Sequence, residues 1–186
     1  ACMKRIVAAP TAGSCGVLPA VLLPLVEERE PETEVILQSL YIAAGFGQGA
    51  AARASVSGAQ GGCQAEIGVA SAMAAAALTH IMGGTGEQCA HAFAIALGNL
   101  LGLVCDPVAG LVEIPCVKRN VIGAVNAVSA ANMALAGITA HIPADEVIDA
   151  MGEIGDALPS SLRETGQGGL AATPTGRRIA ESLPQG

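Results

Sequence analysis

Three of the six cysteines occupy positions where a thiolate could hold a metal. Cys63, Cys105 and Cys116 each stand at the border between a segment rich in Gly or Pro and a predicted helix. Backbone N–H groups and the positive end of a helix stabilise negative sulfur at such a border. The intervals, 42 residues from 63 to 105 and 11 residues from 105 to 116, match neither CxxC nor ferredoxin spacing. From spacing alone, a shared metal site and buried structural thiols both stay open.

The remaining thiols and the imidazoles indicate less chemistry. Cys89 lies in a regular helical pattern and is predicted to be a small core residue, whereas Cys2 and Cys15 lie near the start of the chain. The three histidines occur in apolar helical contexts, where a buried, hydrogen-bonded histidine is commoner than a catalytic one. They are His80, His91 and His141. The sequence therefore assigns no catalytic base.

Two glycine-containing segments have a functional and a structural interpretation. The turn with Thr11, Gly13 and Ser14 precedes a predicted helix, where it either binds a substrate carboxylate through N–H groups or only caps the helix. Gly61 and Gly62 either let the backbone approach a metal centre or simply end secondary structure.

The polar residues near the cysteines also have both a functional and a structural interpretation. Arg119 has the geometry for a carboxylate partner, although an arginine on a helix surface is more often solvated. Asp106 is either a site residue or a turn former, and Glu66 either lies close to a metal or faces a helix dipole. Asn99 and Asn120 complete the polar flank of the second and third cysteines.

Helices must position these residues, because strand signals are scarce. Helices are predicted over 17–30, 35–44, 66–82, from the Thr85 cap to about 101, over 117–137 and from 143 onward, with a final turn near 177–183. The glycines of 45–49 are predicted to break the second helix. The expected fold is all-α: a compact bundle of Ala- and Gly-rich helices, with Gly/Pro-rich loops that carry the cysteines. We expect one domain over residues 1–186.

The composition fits closely packed helices. Hydrophobic residues make up 52% of the chain but aromatic residues only 2%, so the apolar side chains are small and helices can approach closely, as in a large assembly. Polar interruptions and the lack of an aromatic belt argue against membrane spans at 88–105 and 121–144. The net charge of −7, with dispersed basic residues, argues against nucleic acid. Because no signal peptide is visible, we expect a cytoplasmic protein.

Four long strings of this sequence resemble motifs of the alpha chains of iron-sulfur-dependent L-serine dehydratases, in the same order and across essentially the whole chain. They are PTAGSCGVLPAVLLP, SVSGAQGGCQAEIG, LGNLLGLVCDPVAGLVEIPCVKRN and TGQGGLAATPTGRRIAE. The resemblance implies that Cys63, Cys105 and Cys116 hold a [4Fe-4S] cluster through three of its irons. The fourth iron would be left for L-serine, without pyridoxal phosphate.

The activity that this resemblance implies is loss of water from L-serine, giving pyruvate and ammonia, a step of amino-acid degradation and gluconeogenesis. Such an elimination needs a base at the α-proton and a Lewis acid at the hydroxyl. Substrate contacts would come from Thr11, Gly13, Ser14, Asn99, Asp106 and Arg119, and contacts with the cluster from Gly61 and Gly62. The resemblance also implies a beta domain or beta chain, an oligomer, a longer natural chain, and inactivity of this chain alone.

Two other functions remain open at this point. An iron that accepts a hydroxyl would also accept a thiolate leaving group, so a related cluster-dependent L-cysteine desulfidase is one alternative. A non-catalytic helical domain for metal binding or assembly is the other. The sequence chemistry does not choose between serine and cysteine.

Overall fold

The structure is a computed structural model that describes residues 5–111 and 113–183, and Cys2 lies outside these residues. The described part contains no β-strand, only a bridge between Cys105 and Arg163. The α-helices are α1 (Val17–Arg29), α2 (Thr33–Arg53), α3 (Gly58–Gly61), α4 (Val69–Ile81), α5 (Gly86–Gly98), α6 (Cys116–Leu135), α7 (Ala144–Ala157) and α8 (Pro174–Ser182). A π-helical turn, Gln64–Gly68, leads into α4. The all-α prediction is confirmed.

The alanine-rich α4 is the central helix of the bundle. Every residue from Val69 to Thr79 is buried, and α1, α2, α5 and α6 pack around it. Alanine favours helix and adds little bulk, so four neighbours can approach one helix closely. The apolar side chains around α4 are mostly small, but they form one continuous cluster, which is the core of the molecule.

The prediction that residues 45–49 break the second helix is wrong, because α2 continues through them to Arg53. Gly47 packs against α4, where a Cβ atom would lie 2.7 Å from the Sδ of Met73. Next to it, Phe46 stacks on Phe93 with ring centroids 4.7 Å apart. Tertiary packing therefore offsets the cost of about 1 kcal/mol that a glycine brings to a helix interior.

Helix α2 could cross a membrane by its length and composition alone. Its buried positions, including Ser39, Ala43 and Ala50, belong to the side that packs in the bundle. Core helices of globular proteins pass the same composition test, so the observation carries little weight.

The ends of the other helices follow the sequence signals. Thr85 and Gln88 form a reciprocal capping box at the start of α5, and Gly83 follows α4 with a φ of 85°. Helix α5 ends at Gly98, three residues before its predicted end at 101. The final turn is a nine-residue helix, α8, which begins at a Pro and is capped by Thr173.

The prediction of buried core histidines is wrong for all three. His80 is half-buried and lies 3.3 Å from the amide oxygen of Gln38, and His91 lies 3.8 Å from Glu87. His141 is exposed and lies in the loop before α7. Each ring therefore reaches a polar neighbour or solvent and not the apolar core. Cys89, in contrast, is buried in the core as predicted.

Candidate metal and substrate site

The structure brings the thiols of Cys63, Cys105 and Cys116 together. The sulfurs of Cys63 and Cys105 and a carboxylate oxygen of Glu66 all lie within 4.8 Å of one another. The thiol of Cys63 also interacts with the thiol of Cys116. Three residues spread over more than fifty positions of sequence thus face one another at one place in the fold.

Glu66, Cys105 and Cys116 line a cavity of about 250 Å³. The cavity is lined by Thr11, Ala12, Gly13, Glu66, Cys105, Pro107, Gly110, Cys116 and Glu164. Two cysteines and two carboxylates therefore share a space with the glycine-containing turn before α1. Among the described residues no histidine lines it, so the ionisable groups of its described lining are the carboxylates and thiols.

The loop before Cys63 is positioned by close backbone contacts. A Cβ atom at Gly62, whose φ is 77°, would lie 2.9 Å from the carbonyl oxygen of Leu103. Gly61 packs against α7, since a Cβ atom on Gly155 would lie 2.9 Å from its Cα. In the contacts described, Gly61 and Gly62, which were predicted to contact a cofactor, pack against other residues of the protein. Their observed role is to let the loop fit between α7 and the segment before the second cysteine.

A third glycine of this loop lies closer to the thiols. A Cβ atom at Gly58 would lie 2.8 Å from Oε2 of Glu66 and 3.0 Å from the sulfur of Cys105. A side chain at this position would push the thiol of Cys105 and the carboxylate of Glu66 out of place. The site itself therefore requires glycine at position 58. The Gly-rich stretch was noted in the sequence, but nothing distinguished Gly58 from its neighbours.

Gln64, the residue after Cys63, is anchored in the core by hydrogen bonds. Its buried side chain donates to the carbonyl of Met151 at 2.9 Å and accepts from the N–H of Gly102 at 2.8 Å. Its backbone N–H donates to the carbonyl of Leu103 at 2.9 Å. Gln64 was not predicted from the sequence. Its one signal, a buried amide next to a cysteine, is visible only once the fold is known.

Backbone pairing with the tail holds Cys105. Its N–H donates to the carbonyl of Leu162 at 2.9 Å, and its carbonyl accepts from the N–H of Glu164 at 2.7 Å. Glu164 has a φ of 63°, a conformation that non-glycine residues rarely adopt. Cys105 is therefore set by this pairing and not by the helix N-terminus that the sequence suggested. Glu164 enters the site unpredicted.

Arg119 and Asp106 form a buried ion pair beside the cysteines. Nη2 of Arg119 lies 2.8 Å from Oδ1 of Asp106, with side chains 12% and 3% exposed. Nη1 donates to the carbonyl of Val104 at 2.8 Å, and Oδ2 of Asp106 accepts from the N–H of Leu170 at 2.7 Å. Oδ1 accepts no well-aligned hydrogen bond from the described residues and relies on the ion pair. The idea of a solvated Arg119 is wrong, since the pair joins the cysteine segments to the tail.

Two of the clustered thiols, those of Cys63 and Cys116, have raised pKa values. The neighbouring thiol of Cys105, with burial adding to the effect, raises the pKa of Cys63 to about 12, while Cys116 and the Arg119 cation act in the opposite direction. Cys63 and burial raise the pKa of Cys116. These protons must leave when thiolates bind a metal, so binding here is coupled to proton release.

The carboxyl group of Glu66 is also perturbed. Burial raises its pKa, a hydrogen bond with Thr11 lowers it, and the nearby charge of Glu164 raises it further. A carboxyl group that is partly shielded from water and faces a second carboxylate is suited to hold a proton. A role for Glu66 as a helix-dipole partner alone does not explain its burial or its position near Glu164.

The turn before α1 contributes to the cavity through Thr11 and Gly13. Ser14 is fully buried, and its hydroxyl lies 3.0 Å from that of Thr11 and donates to the carbonyl of Ala9. Asn120 holds the turn from α6, donating to the carbonyl of Gly13 at 2.8 Å and accepting from the N–H of Gly16 at 3.1 Å. Ser14 and Asn120 thus hold the turn in shape but are not among the residues that line the cavity.

Asn99 is the predicted substrate residue that the structure places elsewhere. It donates to the amide oxygen of Asn126 at 2.9 Å and lines a separate apolar depression together with His141. Helix α5 ends one residue earlier, so the chain turns and carries Asn99 away from Cys105. We correct its assignment to a structural one.

The donor set fits a thiophilic metal. Three converging thiols with a carboxylate and a nearby guanidinium suit zinc or iron–sulfur ligation and do not suit the hard cations, which prefer all-oxygen sites. The Arg119 cation beside Cys63 offsets part of the negative charge that several thiolates would gather. The residues present are therefore compatible with a metal centre.

Comparison with known proteins gives one consistent family. Residues 1–171 match the family model described as "Serine dehydratase alpha chain". The "Probable L-serine dehydratase, alpha chain" of Bacillus subtilis (strain 168) is 61% identical over 183 residues, which are 98% of this chain and 61% of that protein.

Two further relatives agree. The protein of the same description from Latilactobacillus sakei is 59% identical, over 95% of this chain and 84% of that protein. The "L-serine dehydratase TdcG" of Escherichia coli (strain K12) is 48% identical, over 90% of this chain and 37% of that protein. The chain thus spans about three-fifths of the Bacillus subtilis relative. On these matches, the chain belongs to the serine dehydratase alpha chain family.

Proposed function

We propose that this chain is the alpha portion of an L-serine dehydratase that eliminates water from L-serine to give pyruvate and ammonia. The proposal is carried by the meeting of the Cys63 thiol with those of Cys105 and Cys116, beside a cavity that the latter two cysteines line together with two carboxylates. The names of the relatives, which are L-serine dehydratases, support it.

The three cysteines would hold a [4Fe-4S] cluster through three irons. Such a cluster, when bound, supplies an iron without a protein ligand as the Lewis acid for the leaving hydroxyl. Three thiols in one buried place, with an arginine beside them, support this assignment. The proposal includes no pyridoxal phosphate, as the family resemblance implies.

The chain's own groups would bind the substrate and carry its protons. Thr11, Ala12 and Gly13 of the turn before α1 line the cavity, and a turn of this kind at a helix start suits the carboxylate of serine. Glu66 and Glu164 are the carboxylates within reach of that space. One carboxylate accepts the α-proton, and the other, in its protonated form, gives its proton to the hydroxyl oxygen, so that the C–O bond breaks and water leaves. The aminoacrylate that results tautomerises to an imine, which water hydrolyses to pyruvate and ammonia.

A beta domain or beta chain completes this enzyme in the proposal, and the assembly works in the cytoplasm. The relatives named alpha chain support a partner. Asp106 and Arg119 would act through the cysteine segments that they join, because their polar atoms bind each other and the backbone.

Reconstitution tests the metal assignment. The protein, purified without oxygen and supplied with iron and sulfide, should gain about four irons and four sulfides per chain and a broad visible absorbance. Cys63→Ser, Cys105→Ser and Cys116→Ser should each lose most of this iron. Cys89→Ala, which removes a core thiol remote from the cavity lining, is the matched control and should retain it. A colourless parent protein after careful reconstitution would contradict the proposal.

Turnover tests the reaction. With a beta chain added, the reconstituted protein should form pyruvate from L-serine, and without it we expect no turnover. Glu66→Gln and Glu164→Gln should each reduce the rate while iron binding persists. Sulfide from L-cysteine without pyruvate from L-serine would indicate a desulfidase instead.

A further inference from the structure

A second cavity, of about 630 Å³, lies between the end of α2, the short α3 and α7. We call it the α7 cavity. Its volume falls within the range of about 300–1,000 Å³ that is usual for sites of small ligands. Among the described residues, its lining shares no member with the cavity at the cysteines. Its charged residues are two arginines and three carboxylates: Arg53, Asp149, Glu153, Asp156 and Arg163.

The α7 cavity borders the two segments that position Cys63 and Cys105. Gly61, two residues before Cys63, is part of its lining. Arg163, also in the lining, stands between the two residues whose backbone atoms pair with Cys105. A ligand in the α7 cavity would therefore contact both segments without entering the space between the thiols.

One wall of the α7 cavity is a row of carboxylates on α7. Asp149, Glu153 and Asp156 are spaced four and three residues apart, so at 100° per residue they fall within an arc of about 60°. All three line the cavity. The row gives this wall a negative charge.

Only one of these carboxylates has a cationic partner among the described residues. Arg53 donates from Nε to Oδ1 of Asp149 at 3.0 Å and from Nη2 to Oδ2 at 2.6 Å, so the two charges cancel. The ion pairs of the described residues include neither Glu153, Asp156 nor Arg163. Arg163 is half-buried, and the two acids are exposed. One cation and two anions are thus left for a ligand.

We propose that the α7 cavity binds an α-amino acid with a cationic side chain, such as L-lysine. The guanidinium of Arg163 binds the carboxylate of the ligand, for which its planar geometry is suited. Glu153 and Asp156 bind the α-ammonium group and the side-chain cation. One negative and two positive charges on the ligand then match the charges that the cavity leaves without a partner. This inference does not depend on the proposed reaction.

Other classes of ligand match these charges less well. A phosphate or a dicarboxylate would face the carboxylate row of α7, whereas a diamine or a metal cation would face Arg163 with a like charge. An amino acid with a neutral side chain would leave one carboxylate without a cation. The net charge of −7 on the chain also favours the approach of a ligand with a net positive charge.

Calorimetric titration of the metal-free full chain with L-lysine tests the proposal. We expect one ligand per chain with a Kd below about 1 mM. L-Norleucine lacks the side-chain ammonium group of L-lysine, and cadaverine lacks its carboxylate. Each should bind at least about tenfold more weakly. Failure of L-lysine to bind at about ten times this Kd limit would overturn the proposal, as would equal affinities for L-lysine and L-norleucine.

Variants of the cavity locate the ligand. Arg163→Met should weaken L-lysine at least about tenfold, and Glu153→Gln combined with Asp156→Asn should remove the preference for L-lysine over L-norleucine. Glu146→Gln is the matched control, because Glu146 is exposed on α7 and does not line the cavity, and it should leave the Kd unchanged. Circular dichroism verifies that each variant is folded.

Two results would show that the ligand binds elsewhere. Unchanged L-lysine affinity in both cavity variants would overturn the proposal. Binding that is lost in Glu66→Gln but kept in Arg163→Met would place the ligand in the cavity at the cysteines and would also overturn it. All of these titrations use the metal-free chain, so their failure is distinguishable from failure of the iron and pyruvate measurements.

Discussion

The guanidinium of Arg119 lies 2.8 Å from the carboxylate of Asp106, so the residue after the second cysteine is tied to the helix that begins with the third. Asp106 also accepts from the N–H of Leu170 in the tail. The side chain of Asp106 therefore joins its own segment to the first turns of α6 and to the tail. The position of Cys105 relative to Cys116 depends on this connection.

Removing one partner of this pair should be costly. Asp106→Ala leaves the guanidinium of Arg119 buried without a counter-charge, and we expect a loss of about 3 kcal/mol in the free energy of unfolding. Urea denaturation of the metal-free protein measures it. Asp149→Ala is the matched control, because the Arg53–Asp149 pair is exposed to solvent on both sides and should contribute little. Equal losses from the two variants would contradict the buried role of Asp106.

The stability of the metal-free protein should fall at alkaline pH. The pKa of Cys63 is raised from its ordinary value of 9.0 to about 12. Above about pH 9 the unfolded chain releases this thiol proton and the native state keeps it, so the unfolding free energy decreases with rising pH by up to about 1.4 kcal/mol per pH unit. Below about pH 9 both states are protonated and this contribution is constant.

Comparison with Cys63→Ala isolates this effect from other groups that titrate at alkaline pH. The variant should show a flatter decrease above about pH 9, because the chief cause of the raised pKa of Cys116 disappears along with Cys63. Parallel curves for parent and variant would show that the thiols titrate normally.

Close packing of α7 on the cysteine loop predicts a position-specific effect of alanine. Gly155→Ala places a Cβ atom 2.9 Å from the Cα of Gly61, so backbone must move and the bound iron per chain should fall. Gly45→Ala, in the middle of α2 with no atom within 4 Å of its added Cβ, should stabilise the protein by up to about 1 kcal/mol. Thermal unfolding and iron analysis of both variants test the contrast. Normal iron content in folded Gly155→Ala would argue against this contact as a determinant of the site.

The buried amide of Gln64 should be required for stability. Gln64→Met keeps the volume but leaves the N–H of Gly102 and the carbonyl of Met151 without their partner, which we expect to cost about 3 kcal/mol. Gln48→Met, at an exposed position of α2, should change the free energy of unfolding little. A small loss for Gln64→Met would mean that water replaces the amide.

The helices could be predicted from local signals. Alanine-rich periodic segments, the capping box at Thr85 and the glycine at 83 specify α4 and α5 without reference to distant residues. Where tertiary packing decides, the local rules failed, as at Gly47, which is held in a helix by its contact with Met73. The histidines were misplaced for a related reason, since an apolar sequence context does not tell which side of a helix a residue faces.

The site was only partly predictable. The three cysteines and Glu66 were suggested by residue type and segment borders, whereas Glu164 enters through backbone pairing with Cys105 across 59 positions of sequence. Asn99 was included because it is close to Cys105 in sequence, but the end of α5 separates the two. Proximity along the chain is a poor guide where the chain reverses direction.

The pairing of Cys105 with Leu162 and Glu164 has a consequence for the order of folding. The helices around α4 are joined largely by short connections, so they can associate early, whereas contacts between Cys105 and the tail close a loop of more than fifty residues. We expect the bundle to form first and the walls of the cysteine cavity to assemble last. A chain interrupted in this last stage would be compact and helical, with the thiols of the cavity still accessible from solution.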